Sequence, residues 1–233
     1  MDSWTAGAAT SIWIYAALCM ITCLAGTMRG FSGFGSGLLM APVFSLVMPP
    51  ADVVVLILAL NLATTFQLMR EALKLVQWSL VLRLFIPSLA GIPIGLSLIH
   101  FLDPPLIRKM IAVLVALISI ALLSGWYYDA RRGRVPDAAT GLLSGALTSL
   151  AGIGGPPVIL YLLSDRQQSP RVARATCLVF FFLAQVAIMV PLAIGGSVGI
   201  RQGSTMVALL PAYILGTGSA CARTSGPPAA FSA

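Results

Sequence analysis

Apolar residues run along the chain in segments of roughly 11–28, 34–48, 52–69, 78–101, 106–126, 138–150, 155–163, 172–195 and 203–220, with short polar gaps between them. A helix needs about 20 apolar residues to cross a hydrocarbon core of about 30 Å. Segments 52–69, 78–101, 106–126 and 172–195 meet or approach that length, and 203–220 is adequate. Segments 34–48, 138–150 and 155–163 are short, and the last is far too short to span. The short ones flank two glycine clusters, Arg29-Gly-Phe-Ser-Gly-Phe-Gly-Ser-Gly37 and Ala151-Gly-Ile-Gly-Gly-Pro-Pro157. Glycine permits positive φ and close backbone approach, and proline pre-sets the first turn of a new helix. Each cluster therefore predicts a break between two half-helices, not a water-exposed loop.

The clusters also mark an internal repeat. A shift of 119 residues places Leu24 on Leu143, Gly26 on Gly145, Gly33 on Gly152, Gly35 on Gly154 and Val53 on Val172. A slightly larger shift aligns Pro87 with Pro211. The predicted fold is an all-α polytopic membrane protein of two inverted repeats, each a glycine-tipped broken-helix hairpin plus transmembrane helices. The first repeat is 1–126, with hairpin 11–48 and helices 52–69, 78–101 and 106–126; a basic linker occupies 127–137. The second is 138–220, with hairpin 138–163 and helices 172–195 and 203–220. Its last helix is missing in this reading, and the polar stretch 221–233 reads as an aberrant or truncated end.

Charge supports the hairpins. If each hairpin enters and leaves on one face, ten basic residues fall on one side and three on the other, with Arg29 left at a hairpin tip. If each hairpin is a full crossing, the split is nearly even. The positive-inside rule favours the first arrangement. The first half is then a hairpin plus three crossings, an odd number, so the second half inserts upside down and the two tips approach the membrane middle from opposite faces.

Composition agrees with a lipid environment. Of 233 residues, 58% are hydrophobic and 9% charged, against about 25% charged in a typical soluble domain. The net charge of +7 comes from residues in short gaps, which fits membrane orientation and argues against nucleic acid as a partner. Cys19, Cys23, Cys177 and Cys221 form no Cys-x-x-Cys or Cys/His cluster, so no metal site and no cofactor is expected. His100 beside Asp103 suits an interface. Trp4, Trp13, Trp78 and Trp126 suit interfacial anchors.

Candidate chemistry centres on the breaks. The first N–H groups of a new helix have no intrahelical partner, and the dipole places positive charge there. Two such starts around one cavity make an anion site. Gly33, Gly35, Gly37, Gly152, Gly154 and Gly155 would let an anion approach the backbone, and Ser32 and Ser36 would donate hydroxyl hydrogen bonds. Arg29 is the sharpest candidate ligand, because a guanidinium offers fork-like hydrogen bonds; the alternatives are capping of a broken-helix carbonyl or snorkelling to an interface. Its second-half equivalent is Thr148, which makes the site asymmetric. Asn61, Thr64, Thr65, Gln67 and Gln185 either line a path or bond between helices. Asp52, Asp137 and Asp165 sit at segment edges, where helix-start and loop roles outweigh carriage of a coupling proton. One histidine and edge-placed acids argue against an intramembrane enzyme, so no catalytic residue is assigned. No Walker-type loop is present, so energy would come from an ion gradient or the substrate's own gradient.

The run Arg29-Gly-Phe-Ser-Gly-Phe-Gly-Ser-Gly-Leu-Leu-Met-Ala-Pro42, together with Gly152-Ile-Gly-Gly-Pro-Pro-Val158, resembles the sulfite exporter TauE/SafE family over roughly residues 10–220. The resemblance implies a multi-pass permease of bacterial inner membranes acting on sulfite, an organosulfonate or a related carboxylate, and with the inverted repeats the expected mode is alternating access. Its expected partners are the lipid bilayer, the small anion and a coupling ion. The competing readings are a membrane scaffold, a non-transporting subunit and an inactive truncated permease.

Overall fold

The computed structural model describes residues 8–124, 133–163, 169–195 and 200–224, and these are helical with no strand among them. In chain order the helices are α1 (Ala8–Ser32), α2 (Ser36–Val47), α3 (Pro50–Leu75), α4 (Trp78–Phe101), α5 (Pro104–Leu123), α6 (Arg134–Ala151), α7 (Gly155–Leu163), α8 (Pro170–Ile194) and α9 (Ile200–Thr224). Proline at a first helical position opens α3 and α8, where its missing N–H costs nothing. The Ser169 side chain also caps α8 by accepting from the Val172 N–H. Interior prolines Pro42, Pro87, Pro93, Pro191 and Pro211 are the kind that bilayer helices tolerate.

The outer surface is apolar. Trp13 is 77% exposed, and Leu123 and Phe101 are each 87% exposed. A large contiguous surface of this kind belongs in lipid, not water. By length and composition, Trp13–Ser32, Trp78–Ile99 and Pro170–Ile194 can each cross a membrane, and α3 makes a fourth span if its 74° bend between Thr65 and Leu68 is counted within one crossing. The expected crossings 106–126 and 203–220 are helical as α5 and α9, but neither belongs to that set.

Several expected boundaries move. Helix α1 continues through Arg29 to Ser32, so Arg29 sits inside the last helical turn and not at a hairpin tip. The reason lies across the interface: Gly30 faces Thr217 and Ala220 of α9, and its bare backbone lets α1 stay helical while packed there. At 25 residues α1 is long enough to cross on its own, so the first break joins a full-length helix to the 12-residue α2. Helix α6 begins at Arg134, which takes the end of the expected linker into the helix. Helix α9 runs to Thr224, into the stretch expected as a tail. Residues 127–132 and 225–233 lie outside the described residues, as do Trp4, Trp126 and Asp165.

Two helix pairs hold the molecule across its length: α1 with α9, and α4 with α6. Both are small-residue contacts of the Gly-x-x-x-Gly kind, in which packing and close backbone approach replace the hydrophobic drive that lipid removes. Gly26 and Gly30 lie on Tyr213, Thr217 and Ala220, while Gly216 faces the Cys23 carbonyl. On the other side, Gly141 and Gly145 lie on the carbonyls of Leu84 and Ser88, and Gly91 and Gly95 lie on Leu142 and Ala146. Between these pairs α3 packs on α8. The short helices fill the middle, α2 against α1, α3 and α5, and α7 against α6 and α8.

Candidate functional site

The first break is made by two left-handed glycines, Gly33 (φ 82°) and Gly35 (φ 94°). The Gly33 N–H bonds the Arg29 carbonyl at 2.7 Å and closes α1. The Ser32 hydroxyl lies 2.8 Å from the Met28 carbonyl and 2.7 Å from that of Phe34, and accepts from the Phe34 N–H at 3.3 Å. Ser32 is therefore spent on shaping the turn. No side chain caps the start of α2, so the N–H groups of Ser36 and Gly37 have no intrahelical carbonyl to meet.

The second break has one left-handed residue, Gly152 (φ 70°). Its N–H bonds the Thr148 carbonyl at 2.8 Å, an αL helix cap. Ser144 donates to the Gly154 carbonyl at 2.7 Å, tying the start of α7 back to α6. Helix α7 then opens Gly155-Pro156-Pro157. Two of its first three residues lack an N–H, so this start is poorer in donors than that of α2.

The two breaks touch. A Cβ on Gly37 would overlap the Gly152 carbonyl, and one on Gly155 would press on the Phe34 ring. Where they meet there is a tight cleft of about 20 Å³, room for little more than one water molecule. Arg29, Gly35, Ser36, Gly37, Gly152, Gly154 and Gly155 line it, as does Thr148. Ser32 and Gly33 do not; Gly33 faces Arg174 and Leu178 on α8. The Arg174 guanidinium donates to the Gly30 carbonyl, which fastens the first break to α8.

Arg29 is 2% exposed. Its Nη2 donates to Thr65 Oγ1 at 2.7 Å and lies 3.4 Å from the Asn61 carbonyl, while its Nε has no partner. No carboxylate among the described residues pairs with it. A buried cation held only by neutral oxygens is costly, and an anion in the cleft would offset that cost.

Asn61 is the hub. Its Oδ1 accepts from Ser36 at 2.8 Å and also from the Tyr213 hydroxyl. With Oδ1 turned to the two hydroxyls, the NH₂ is the part of the amide left for the cleft that Asn61 lines. The Ser36 hydroxyl hydrogen is committed to Asn61, so Ser36 offers the cleft its backbone N–H in place of the expected hydroxyl. Thr65 donates to the Asn61 carbonyl at 2.6 Å and accepts from Arg29. Thr64 turns back onto its own helix. Gln185 on α8 lines the opposite wall with its buried Oε1 unpartnered. The side chains of Gln67 and His100 lie outside the described residues.

Tyr213 is the residue that sequence reasoning missed. The available signal was a phenol within an apolar helix, which must find a hydrogen-bond partner when buried. Among the described residues no group of three or more His, Cys, Asp or Glu gathers that could hold a metal ion. Cys19, Cys23 and Cys177 are free thiols.

The family model of the sulfite exporter TauE/SafE proteins matches residues 18–226. No curated protein and no solved structure matches the chain.

Proposed function

The chain belongs to the sulfite exporter TauE/SafE family of membrane permeases, and from that premise we propose that it carries a small anion through the cleft between its two helix breaks, by alternating access. The observation that carries this reading is Arg29, a buried guanidinium with an unpartnered Nε and no carboxylate, at the place where both breaks meet. Around it the Asn61 NH₂ and the free N–H groups at the start of α2 add uncharged donors. The left-handed glycines let the backbone itself reach the ligand. Such a set suits a compact oxyanion, and the narrow cleft favours a small one. Sulfite, a small organosulfonate or a carboxylate matches these donors in charge, and entry of any of them requires the cleft to widen; the preference for sulfur rests on the family alone.

Alternating access is supported by the packing. If residues 1–126 and 138–220 are inverted repeats, α1 corresponds to α6 and α4 to α9. The α1–α9 and α4–α6 contacts are then the same contact made twice. The α3–α8 contact falls on the pseudo-axis, and α2 on α3 matches α7 on α8. A carrier of this kind rocks one unit against the other around a fixed midplane site. The setting proposed is the bacterial inner membrane.

The decisive measurement is counterflow in proteoliposomes loaded with unlabelled sulfite, taurine, sulfoacetate or acetate. Labelled anion should accumulate transiently for at least one of them. Absence of exchange for all of them would leave a scaffold or an inactive permease as the better reading.

Topology offers an independent check. Single cysteines placed at Asp103, between α4 and α5, and at Arg134, at the start of α6, should react with an impermeant thiol reagent from opposite faces. Asp103 should label from the outside. Labelling of both from one face would exclude the inverted arrangement.

A further inference from the structure

We propose that the cleft selects a monoanion that still carries an acidic hydrogen, of the hydrogen sulfite type, and that Gln185 of α8 reads that hydrogen. The inference rests on the permease reading and adds to it the charge state of the carried species.

Charge balance points to a monoanion. Arg29 is the one charged side chain among those that line the cleft. The helix ends add little net charge. Each break joins the carbonyl end of one helix, α1 or α6, to the amide end of the next, α2 or α7, so the partial charges of the two dipoles oppose each other. A single buried guanidinium, bonded only to neutral oxygens, therefore sets the balance. A monoanion brings the closed cleft to neutrality. A dianion leaves one negative charge buried and unpaired, and a neutral ligand leaves one positive charge so; both are costly.

Hydrogen bonding points to a ligand that also donates. The wall formed by α1, α2 and α3 offers donors: the Arg29 Nε, the Asn61 NH₂ and the N–H groups that open α2. The wall formed by α6, α7 and α8 offers acceptors. Gln185 is 3% exposed, and its Oε1 has no hydrogen bond. The Thr148 hydroxyl gives its hydrogen to the Ser144 carbonyl at 2.6 Å, so toward the cleft it can only accept. Pro156 brings no N–H to this wall.

A fully ionised oxyanion has acceptors on every side. It satisfies the first wall and leaves Gln185 Oε1 buried against another oxygen, an unmade bond with a full desolvation penalty. An oxyanion with one acidic hydrogen satisfies both walls at once. Sites built to bond such a hydrogen reject the analogue without it far more strongly than apolar pockets do, because their own polar groups are left unpaired. The proton then travels on the ligand, and no carboxylate is needed beside Arg29 to carry it.

Calorimetric titration of the purified full chain with sulfite over a series of pH values tests this, because sulfite exchanges its second proton near neutral pH. The affinity for total sulfite should be level in acid, then fall about tenfold per pH unit once the dianion dominates, as the competent fraction shrinks. Methanesulfonate is a monoanion over the whole range and should show no such fall. Its profile reports any titration of the ionisable groups beside the site, Arg29, Cys177 and Tyr213. In acid it should bind at least tenfold more weakly than hydrogen sulfite, having no hydrogen for Gln185. Gln185→Met removes the acceptor at similar volume and should bring that ratio toward one. The wild-type profile decides the charge state whether or not the variant folds. Sulfite affinity that stays level or rises through the ionisation overturns the charge-state assignment, as does an equal fall for methanesulfonate. Equal loss of both anions in Gln185→Met overturns the role of Gln185. No binding of either anion at any pH, with no counterflow, sinks the permease reading instead.

Discussion

Replacing Arg29 with alanine should weaken anion binding by roughly 10- to 100-fold and leave the protein folded. A hydrogen bond to a charged group is worth about 1.5–3 kcal/mol, and about 1.4 kcal/mol is a factor of ten in affinity. The fold should survive because Arg29 is not part of an ion pair. Its partners are the Thr65 hydroxyl and the Asn61 carbonyl, and Thr65 keeps its bond to Asn61 without it. Removing the cation therefore exposes no buried carboxylate, which is the usual source of large losses. Arg29→Lys should recover only part of the affinity, since an ammonium cannot present two parallel donors. Binding measured by calorimetry or by thermal shift with sulfite separates these outcomes. Unchanged affinity in Arg29→Ala would make Arg29 a helix-capping residue and remove it from the site.

Adding one methyl group at Gly37 should be more damaging to transport than any other small change in the cleft. The new Cβ would overlap the Gly152 carbonyl, a backbone atom that no rotamer change can move aside. Overpacking typically costs about 1–3 kcal/mol, and here relief means separating the two breaks. Gly37→Ala should abolish counterflow and lower the unfolding temperature in detergent. Gly218→Ala is the matched control, because nothing lies within 4 Å of the position its Cβ would take. It should leave transport intact and raise helix stability, by up to about 0.5–1 kcal/mol. Full transport in Gly37→Ala would mean that the two breaks do not stay in contact in the working protein.

The breaks were readable because glycine and proline act locally. Gly35 and Gly152 take a backbone conformation that other residues avoid, and Pro156 follows at a helix start; all of this shows in the linear sequence. What surrounds the breaks was less readable. Tyr213 reaches Asn61 from a helix some 150 residues further along, and nothing near Tyr213 announces that pairing. Arg29 was placed correctly beside the break but outside the helix, because the reason for helix at Gly30 is Ala220 on α9. Ser32 and Ser36 looked alike as hydroxyl donors. Only their hydrogen bonds distinguish them, one closing its own turn and the other given to Asn61. Asp137 looked like an ordinary acid at a helix start; its burial comes from α4 and α7 packing over it. Local conformation was legible, and long-range hydrogen-bond assignment was not.

The α1–α9 contact has a consequence for biosynthesis. Helix α1 is made before α2 to α8, and the backbone surface that fits Gly26 and Gly30 follows only with α9. During translation that glycine stripe must wait in the bilayer without its mate, open to lipid or to whatever insertion machinery shields it. Helices α4 and α6 face a far shorter delay. Stalling synthesis before α9 should therefore leave a half-assembled chain in which α1 is loose, and quality control would see it as unfinished even though α2 to α8 are already made.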